Sequence, residues 1–401
     1  MNILFLTISR FTDFSERGIY TDLLRKFAKE GHNVYVVSPR ERRFGMSTEL
    51  IHQGQGTILG VKTLNLQKTN VIEKGLGTIL MESQFKLAIK KYLKGMKWDL
   101  ILYSTPPITF PRVIKYLKRN NPSAKTYLLL KDIFPQNAVD LGMFSNKGLI
   151  YHYFRRKEKQ LYRLSDLIGC MSPANVRYVC EHNPEISPER VEVAPNSIEL
   201  VPSNTESLEE KKNVRKRYGI PDDRPVFIYG GNLGKPQGID FLIECLDVNA
   251  HREDCFFLII GTGTELPKLK KWYQETRPFS VKVMDGIPKD EYDVLVRSCD
   301  VGLVFLDHRF TIPNYPSRLL SYLEYRMPVL CVTDPNTDIG EIAMKNEYGI
   351  WCESDSVEEF TVSLQNMLSS DMATMGEKGY LFLCENYLVE NTYSTIMGHY
   401  V

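Results

Sequence analysis

Short, wholly apolar runs alternate along this chain with amphipathic stretches of helical period. Asn2–Ile8 reads as a buried strand; a loop and a helix over Gly18–Glu30 follow, Gly31-His32-Asn33 stops the helix, and Val34–Val37 opens the next strand. That order is a βαβ unit, the start of a parallel sheet. Further runs predict strands at Leu100–Tyr103, Tyr127–Leu130, Leu167–Met171 and Val191–Val193, with helices such as Ser83–Lys94 and Pro111–Asn120 between them. The pattern then restarts. A polar tract over 203–217 leads to Pro225 and to strands at Val226–Tyr229, Phe256–Ile260, Val281–Asp285, Val301–Phe305, Val329–Val332 and Ile350–Cys352. The expected class is therefore α/β, with two doubly wound parallel-sheet domains joined near residue 200. Two such domains in one chain would create a ligand cleft at the carboxyl ends of their sheets. No short-period repeat or low-complexity tract interrupts this plan.

Composition narrows the function. A length of 401 residues suits two domains, and 43% hydrophobic with 25% charged residues is the balance of a globular protein. Lys plus Arg (50) nearly cancels Asp plus Glu (49), which argues against a dedicated nucleic-acid binder. The eight cysteines are scattered without a CxxC pair and several sit in apolar runs, so they read as buried hydrophobes in a reducing compartment. The seven histidines are dispersed, and none shows a zinc spacing. The apolar N-terminal run is too short for a signal peptide, and no segment approaches the roughly 20 apolar residues of a membrane span. The expectation is a cytoplasmic chain that does not cross a membrane.

Three stretches carry candidate chemistry. The first follows the Val226 strand: Gly230-Gly231-Asn232-Leu233-Gly234-Lys235-Pro236-Gln237-Gly238, then a helix. Glycines admit a phosphate close to the backbone and Lys235 supplies counter-charge, although a tight βα turn needs such glycines too. The second runs from Thr311 to Leu330, where Pro316-Ser317 marks a helix start. Free amides of Ser317, Arg318 and Leu319 would form an anion site, Arg318 adds a forked donor, and Ser321 and Glu324 could accept from ribose hydroxyls. A solvated surface helix is the plainer reading. The third is Lys131-Asp132, delivered by a strand to a sheet's carboxyl end, where Asp132 could take or orient an acceptor's proton or simply cap the strand.

The order Gly-Asn-Leu-Gly-Lys-Pro-Gln-Gly, then Ile259-Ile-Gly-Thr-Gly-Thr-Glu265, then Pro316-Ser-Arg-Leu-Leu-Ser-Tyr-Leu-Glu-Tyr-Arg-Met-Pro-Val329 resembles family-4 retaining glycosyltransferases of the GT-B fold. The likeness is to bacterial polysaccharide-assembly members, amino-sugar transferases among them. It extends through Asn2–Leu6, Gly31-His32, Val193-Ala-Pro-Asn-Ser-Ile-Glu199 and Cys299-Asp-Val-Gly302. GT-B implies two facing Rossmann-like domains: an acceptor-side domain over 1–200, a nucleotide-sugar domain over 201–382, and a C-terminal helix over 383–401 returning to the first. It implies that the Asn232–Lys235 loop and Ser317–Leu319 grip a donor diphosphate and that Gly261 borders the nucleotide. The backbone at Ile287 would read the base, and Gly18 would reach the diphosphate from the first domain. The implied reaction moves a hexosyl or N-acetylhexosaminyl group from a nucleotide sugar, UDP-linked by resemblance, to a lipid-linked saccharide.

Two departures stand out. Asn232 replaces an arginine common in the family. The paired glutamates eight positions apart are missing, with Pro313 and Ser321 in their places, so that Glu324 becomes the ribose candidate. A retaining transfer without an enzymic nucleophile implies front-side displacement, with Arg318 and Lys235 bearing the departing charge. Glu199, near the domain junction, is a weaker polar candidate. Basic and aromatic residues recur over Phe85–Trp98 and Tyr151–Tyr162, two amphipathic helices that suit peripheral docking on an anionic membrane or two solvated faces. A sugar-nucleotide epimerase of the same fold, or a non-catalytic sugar-nucleotide binder, remains the rival function; a redox Rossmann enzyme does not fit, because Thr7-Ile-Ser-Arg-Phe-Thr follows the first strand where GxGxxG would be needed.

Overall fold

A computed structural model of the protein describes residues 1–66, 69, 71–201 and 207–400. The chain divides into two units, Met1–Glu199 with Leu388–Val401, and Leu200–Tyr387.

The first unit is built on an eight-stranded sheet: β1 (Asn2–Leu6), β2 (Asn33–Glu41), β3 (Glu49–Gln53), β4 (Gly56–Thr63), β5 (Leu100–Ser104), β6 (Lys125–Leu130), β7 (Leu167–Cys170) and β8 (Val191–Val193), in the order β3-β4-β2-β1-β5-β6-β7-β8. Every pairing is parallel except β3 with β4. This β3–β4 hairpin, turned at Gly54-Gln55, was not expected from the apolar pattern. Glu49-Leu-Ile-His-Gln53 lies at the sheet edge, where no continuous apolar run is required. By contrast β1, β5 and β6 are buried nearly throughout, as strands covered on both faces must be. Chain return at the C-terminus adds a helix, Val389–Met397, to this unit. Tyr393 meets Phe27 of the helix Ile19–Lys29 with ring centres 4.9 Å apart, and its hydroxyl lies 3.0 Å from His32 Nε2.

In the second unit six strands, β9 (Val226–Asn232), β10 (Phe256–Thr262), β11 (Val281–Asp285), β12 (Val301–Phe305), β13 (Val329–Thr333) and β14 (Gly349–Glu353), form an all-parallel sheet in the order β11-β10-β9-β12-β13-β14. Chain order reverses beside β9, which is the switch point where doubly wound sheets bind ligands outside their strand ends. Phe227, Tyr229, Phe257, Ile259, Leu303 and Phe305 belong to one buried cluster that fixes these strand ends. Both units are thus doubly wound α/β structures, as the strand periodicity predicts. No helix among the described residues is long and apolar enough to cross a membrane.

Candidate functional site

Glycines let the ends of β9 and β10 approach more closely than any other residue would allow. Gly231 and Gly261 pair across the two strands, and a Cβ on Gly261 would overlap the Gly231 carbonyl. One on Gly263 would overlap the Leu233 carbonyl, and Leu233 is tied on both sides: its amide donates to Thr262 O and its carbonyl accepts from Glu265 N, each at 2.9 Å. Gly231 adopts φ 120° and Gly238 φ 58°, left-handed values that a side chain disfavours. Gly238 then starts the helix Ile239–Val248. Asn232 and Lys235 are both exposed on this loop. The Asn232 amide donates to Gln237 Oε1 at 2.8 Å, which commits it to bracing the turn. The Lys235 ammonium makes no hydrogen bond or ion pair among the described residues.

Arg318 begins a short helix, Arg318–Glu324, and lies beside this loop. Its guanidinium carbon stands 4.2 Å from the centre of the Tyr229 ring, and Nη2 falls within 3.8 Å of where a Gly231 Cβ would be. Its Nη1 is shielded from solvent and has no hydrogen-bond partner. A guanidinium keeps its charge at any physiological pH, so a buried, unpaired donor here is an anion-seeking group. Tyr322, one turn on, donates to Ile228 O at 3.1 Å and accepts from Gly230 N at 3.3 Å. Tyr292 packs on the bare face of Gly230, where a Cβ would overlap its hydroxyl. Gly261 ends up buried, and Ile287 is half-buried in the loop after β11.

Several expected roles change in three dimensions. Ser317 flanks the helix without capping it, since its side chain accepts no backbone hydrogen bond. The Leu319 amide is already bonded to Pro316 O at 3.3 Å, and Leu319 is fully buried, so it offers no free donor. Ser321 is half-buried one turn beyond Arg318. Glu324 is only 7% exposed, and its Oε1 accepts from Val201 N at 3.2 Å, so it anchors the second unit's first residues. In the first unit the Gly18 amide is not free either: it donates to Asp22 Oδ1 at 3.0 Å. The same carboxylate pairs with Arg25 at 2.5 Å, and Arg25 reaches Glu199 at 2.7 Å. Burial would raise the Glu199 carboxyl, but bonds from Lys29 and Arg25 outweigh it and hold that carboxyl below its ordinary value. Glu199 therefore serves as the clasp of an ion network around the first helix.

The first unit carries its own polar group at the ends of β5 and β6. Thr105 Oγ1 receives Lys131 N at 3.0 Å and donates to Asp132 O at 3.2 Å, and Asn137 donates to Asp132 Oδ1 at 2.7 Å. Burial pushes the Asp132 carboxyl up to about 6 against the Asn137 bond, and it pushes Lys131 down to about 7. Asn137 Oδ1 is buried without a partner. Displaced pKa values and orphaned polar atoms gathered at strand ends are the features of a functional site. Sequence reasoning found Asp132 but missed Asn137, Tyr229 and Tyr322; Tyr229 closes an apolar strand and Tyr322 lies on a helix, where nothing local marks either for a polar role. Among the described residues no group of three or more His, Cys, Asp or Glu is placed to hold a metal ion.

Comparison with known proteins decides the family. Residues 19–201 match the model described as Glycosyltransferase Family 4, and residues 210–381 match that described as Glycosyl transferases group 1. The chain is a GT-B glycosyltransferase. It is 23% identical over 326 residues to the probable glycosyltransferase WbjE of Pseudomonas aeruginosa, which spans 80% of this chain and 78% of that protein. Among solved structures the glycosyltransferase resembles sucrose-phosphate synthase of Thermosynechococcus elongatus, with a TM-score of 0.74 at 15% identity over 100% of this chain and 98% of that one. It also resembles HepE of Anabaena in complex with UDP, with a TM-score of 0.69 at 14% identity over 100% and 99% of the two chains. At these identities the structural likenesses establish the shared fold. Both site candidates, the glycine loop with Arg318 and the Asp132 cluster, fall inside the matched segments of this glycosyltransferase.

Proposed function

We propose that this glycosyltransferase takes its sugar from a nucleoside-diphosphate donor, UDP-linked, and passes it with retention to a lipid-linked saccharide in bacterial polysaccharide synthesis. The observation that carries the reading is the buried, unpartnered Nη1 of Arg318 beside the bare backbone of Gly231. A diphosphate supplies the paired acceptor oxygens that such a fork lacks. Lys235, with no partner of its own, adds a second positive charge on the same loop. Gly261 and the Ile287 backbone border the nucleotide in this reading, and Ser321, one turn past Arg318, is the ribose contact. Glu324, which also accepts from Val201 N through Oε1, is the second ribose candidate through its other oxygen. The UDP complex of HepE is consistent with such a donor.

In the transfer the acceptor hydroxyl oxygen bonds to the sugar's anomeric carbon on the face from which the bond to the phosphate oxygen breaks. The hydroxyl proton passes to that departing oxygen, and the nucleoside diphosphate leaves with its charge held by Arg318 and Lys235. Asp132 is assigned to the acceptor: ionised at neutral pH, it accepts from the hydroxyl and orients it. No resident metal is part of this scheme, and the transferred group is a hexosyl or N-acetylhexosaminyl unit.

Thermal stabilisation by a panel of UDP- and GDP-linked sugars tests the reading, with Arg318→Ala and Lys235→Ala as variants. A ligand that binds only the folded state raises the melting temperature by mass action. A rise with UDP-linked sugars that both variants lose is the expected result, unchanged when a chelator is added. No rise with any sugar nucleotide would sink the assignment, and hydrolysis or transfer absent despite binding would turn the protein into a sugar-nucleotide binder.

A further inference from the structure

The carboxyl edge of the first unit's sheet carries a cationic cluster made of residues that take no part in holding the donor. The chain leaves β1 through residues 7–10 and leaves β2 through the one-turn helix Arg42–Phe44. Strands β2, β1, β5 and β6 are neighbours and run parallel, so both departures lie on the edge that also holds Thr105 and Asp132. There the Phe44 ring, 38% exposed, meets two guanidiniums: the central carbon of Arg10 stands 4.3 Å from the ring centre and that of Arg43 4.8 Å.

Local acids neutralise only part of this charge. Arg43 donates to Glu41 Oε1 at 3.1 Å, and Arg42 donates to Glu73 Oε1 at 3.0 Å. Both carboxylates are shared, because Glu41 also accepts from Leu66 N at 3.0 Å and Glu73 from Asn65 Nδ2 at 3.1 Å. Arg10 is exposed, and its side chain makes no hydrogen bond or ion pair among the described residues. The acids of its own loop are turned to close neighbours: Asp13 accepts from Ser15 N at 2.7 Å and Glu16 from Thr12. A guanidinium stacked on a ring keeps its N–H groups free at the rim, set for the paired oxygens of a phosphate or carboxylate. Two cations held on one ring also repel each other, and a shared anion removes that repulsion.

The position of the cluster says whose anion it is. Neighbouring strands lie about 4.8 Å apart, so Arg10, two strands from β6, and Phe44, three strands away, stand roughly 10 and 15 Å from Asp132 along the edge, about the span of two or three linked sugars. A neutral saccharide would need only hydroxyl, amide and carboxylate partners on that path, such as Asn137 and Asp132. We propose that the acceptor saccharide carries an acidic group, a phosphate or a carboxylate, which Arg10 and Arg43 hold beside Phe44 while the reacting hydroxyl meets Asp132. The proposal rests on the assignment of Asp132 to the acceptor and deepens it by naming the acceptor's chemistry.

Calorimetric titration of the full chain, with UDP present to fill the donor site, tests it with three probes: glucose 1-phosphate, methyl glucuronoside and methyl glucoside. Wild type is expected to bind an acidic probe roughly tenfold or more tightly than the neutral one, a margin that Arg10→Ala loses. Arg10→Lys keeps the charge without the fork, and Phe44→Leu keeps both cations without their platform, so each should lose part of the margin. Preference for glucose 1-phosphate alone identifies a phosphate in the acceptor's linkage, and preference for the glucuronoside alone identifies an acidic sugar; both support the proposal. The margin should persist in Arg318→Ala, which keeps this test standing even if the diphosphate assignment fails. Melting temperatures near wild type would show that these exposed substitutions leave the fold intact. Equal binding of acidic and neutral probes, a wild-type margin in Arg10→Ala, or inorganic phosphate bound as tightly as glucose 1-phosphate overturns the proposal. So does a matching loss of UDP affinity in Arg10→Ala, which would hand that arginine to the donor.

Discussion

Arg318 and Tyr229 are bound to each other through the face of a ring: the guanidinium carbon stands 4.2 Å from the ring centre, and the Tyr229 hydroxyl donates to Asn232 O at 2.8 Å. One tyrosine therefore holds both the cation and the glycine loop. Tyr229→Leu removes the stacking, worth about 1–2 kcal/mol for a desolvated pair, and leaves Arg318 free to swing. Tyr229→Phe keeps the ring and loses only a loop hydrogen bond, about 1 kcal/mol. Calorimetric titration with the nucleotide should show roughly a tenfold or larger loss of affinity in the Leu variant and only a few-fold loss in the Phe variant. Equal losses would mean that the ring does not position Arg318.

Asp132 gives a pH test. Its folded-state value of about 6 lies above the ordinary 3.8, so it carries a proton in mildly acidic solution and loses it as pH rises through about 6. If the ionised form orients the acceptor, kcat/KM rises with pH through that point and levels off. Asp132→Asn should flatten this limb and lower kcat while the donor KM stays near wild type. An unchanged limb in the Asn variant would assign the titration to another group.

Lys131 makes a stability prediction. Burial lowers its folded value to about 7 from 10.5, so between these pH values the unfolded chain binds a proton that the folded chain lacks. The charged form burdens the fold below about pH 7, and the burden lifts as pH rises towards 10.5. Lys131→Leu also loses the bond to Ala194 O at 3.1 Å. The variant should melt roughly 5 °C above wild type at pH 6 and lose that lead, then fall behind, as the solution is made alkaline. A constant difference across pH would contradict the assignment.

Gly261→Ala should be severe. The added carbon meets the Gly231 carbonyl, which is backbone held in the β9–β10 pairing and cannot rotate away. A cost of about 3 kcal/mol or more is expected, as for overpacking in a rigid site. Gly54→Ala, at the hairpin turn, meets nothing within 4 Å and should stay within about 0.5 kcal/mol of wild type. Chemical denaturation of both variants, read by circular dichroism, compares them directly.

Continuous apolar words such as Val301-Gly-Leu-Val-Phe305 and Val329-Leu-Cys-Val-Thr333 could only be strands covered on both faces, so the parallel sheets were legible along the chain. Gly230, Gly231 and Gly238 with Lys235, and Arg318 after Pro316-Ser317, were legible for the same reason: they are local words whose geometry follows from their own residue types. The edge strand β3 was not, because it needs no apolar signature; β4, interior and mostly buried, was passed over along with it.

Partnership was decided only by tertiary structure. Glu324 and Ser321 share a helix face in the sequence, yet one oxygen of Glu324 accepts from Val201, more than a hundred residues away. Gly18 keeps its amide for Asp22, and Asn232 turns its amide to Gln237. Tyr229 looks like any core aromatic until Arg318 arrives over its ring. Local conformation follows from short stretches of chain. Which buried polar group meets which is set by long-range packing, because each desolvated donor or acceptor takes whatever partner the fold brings within reach.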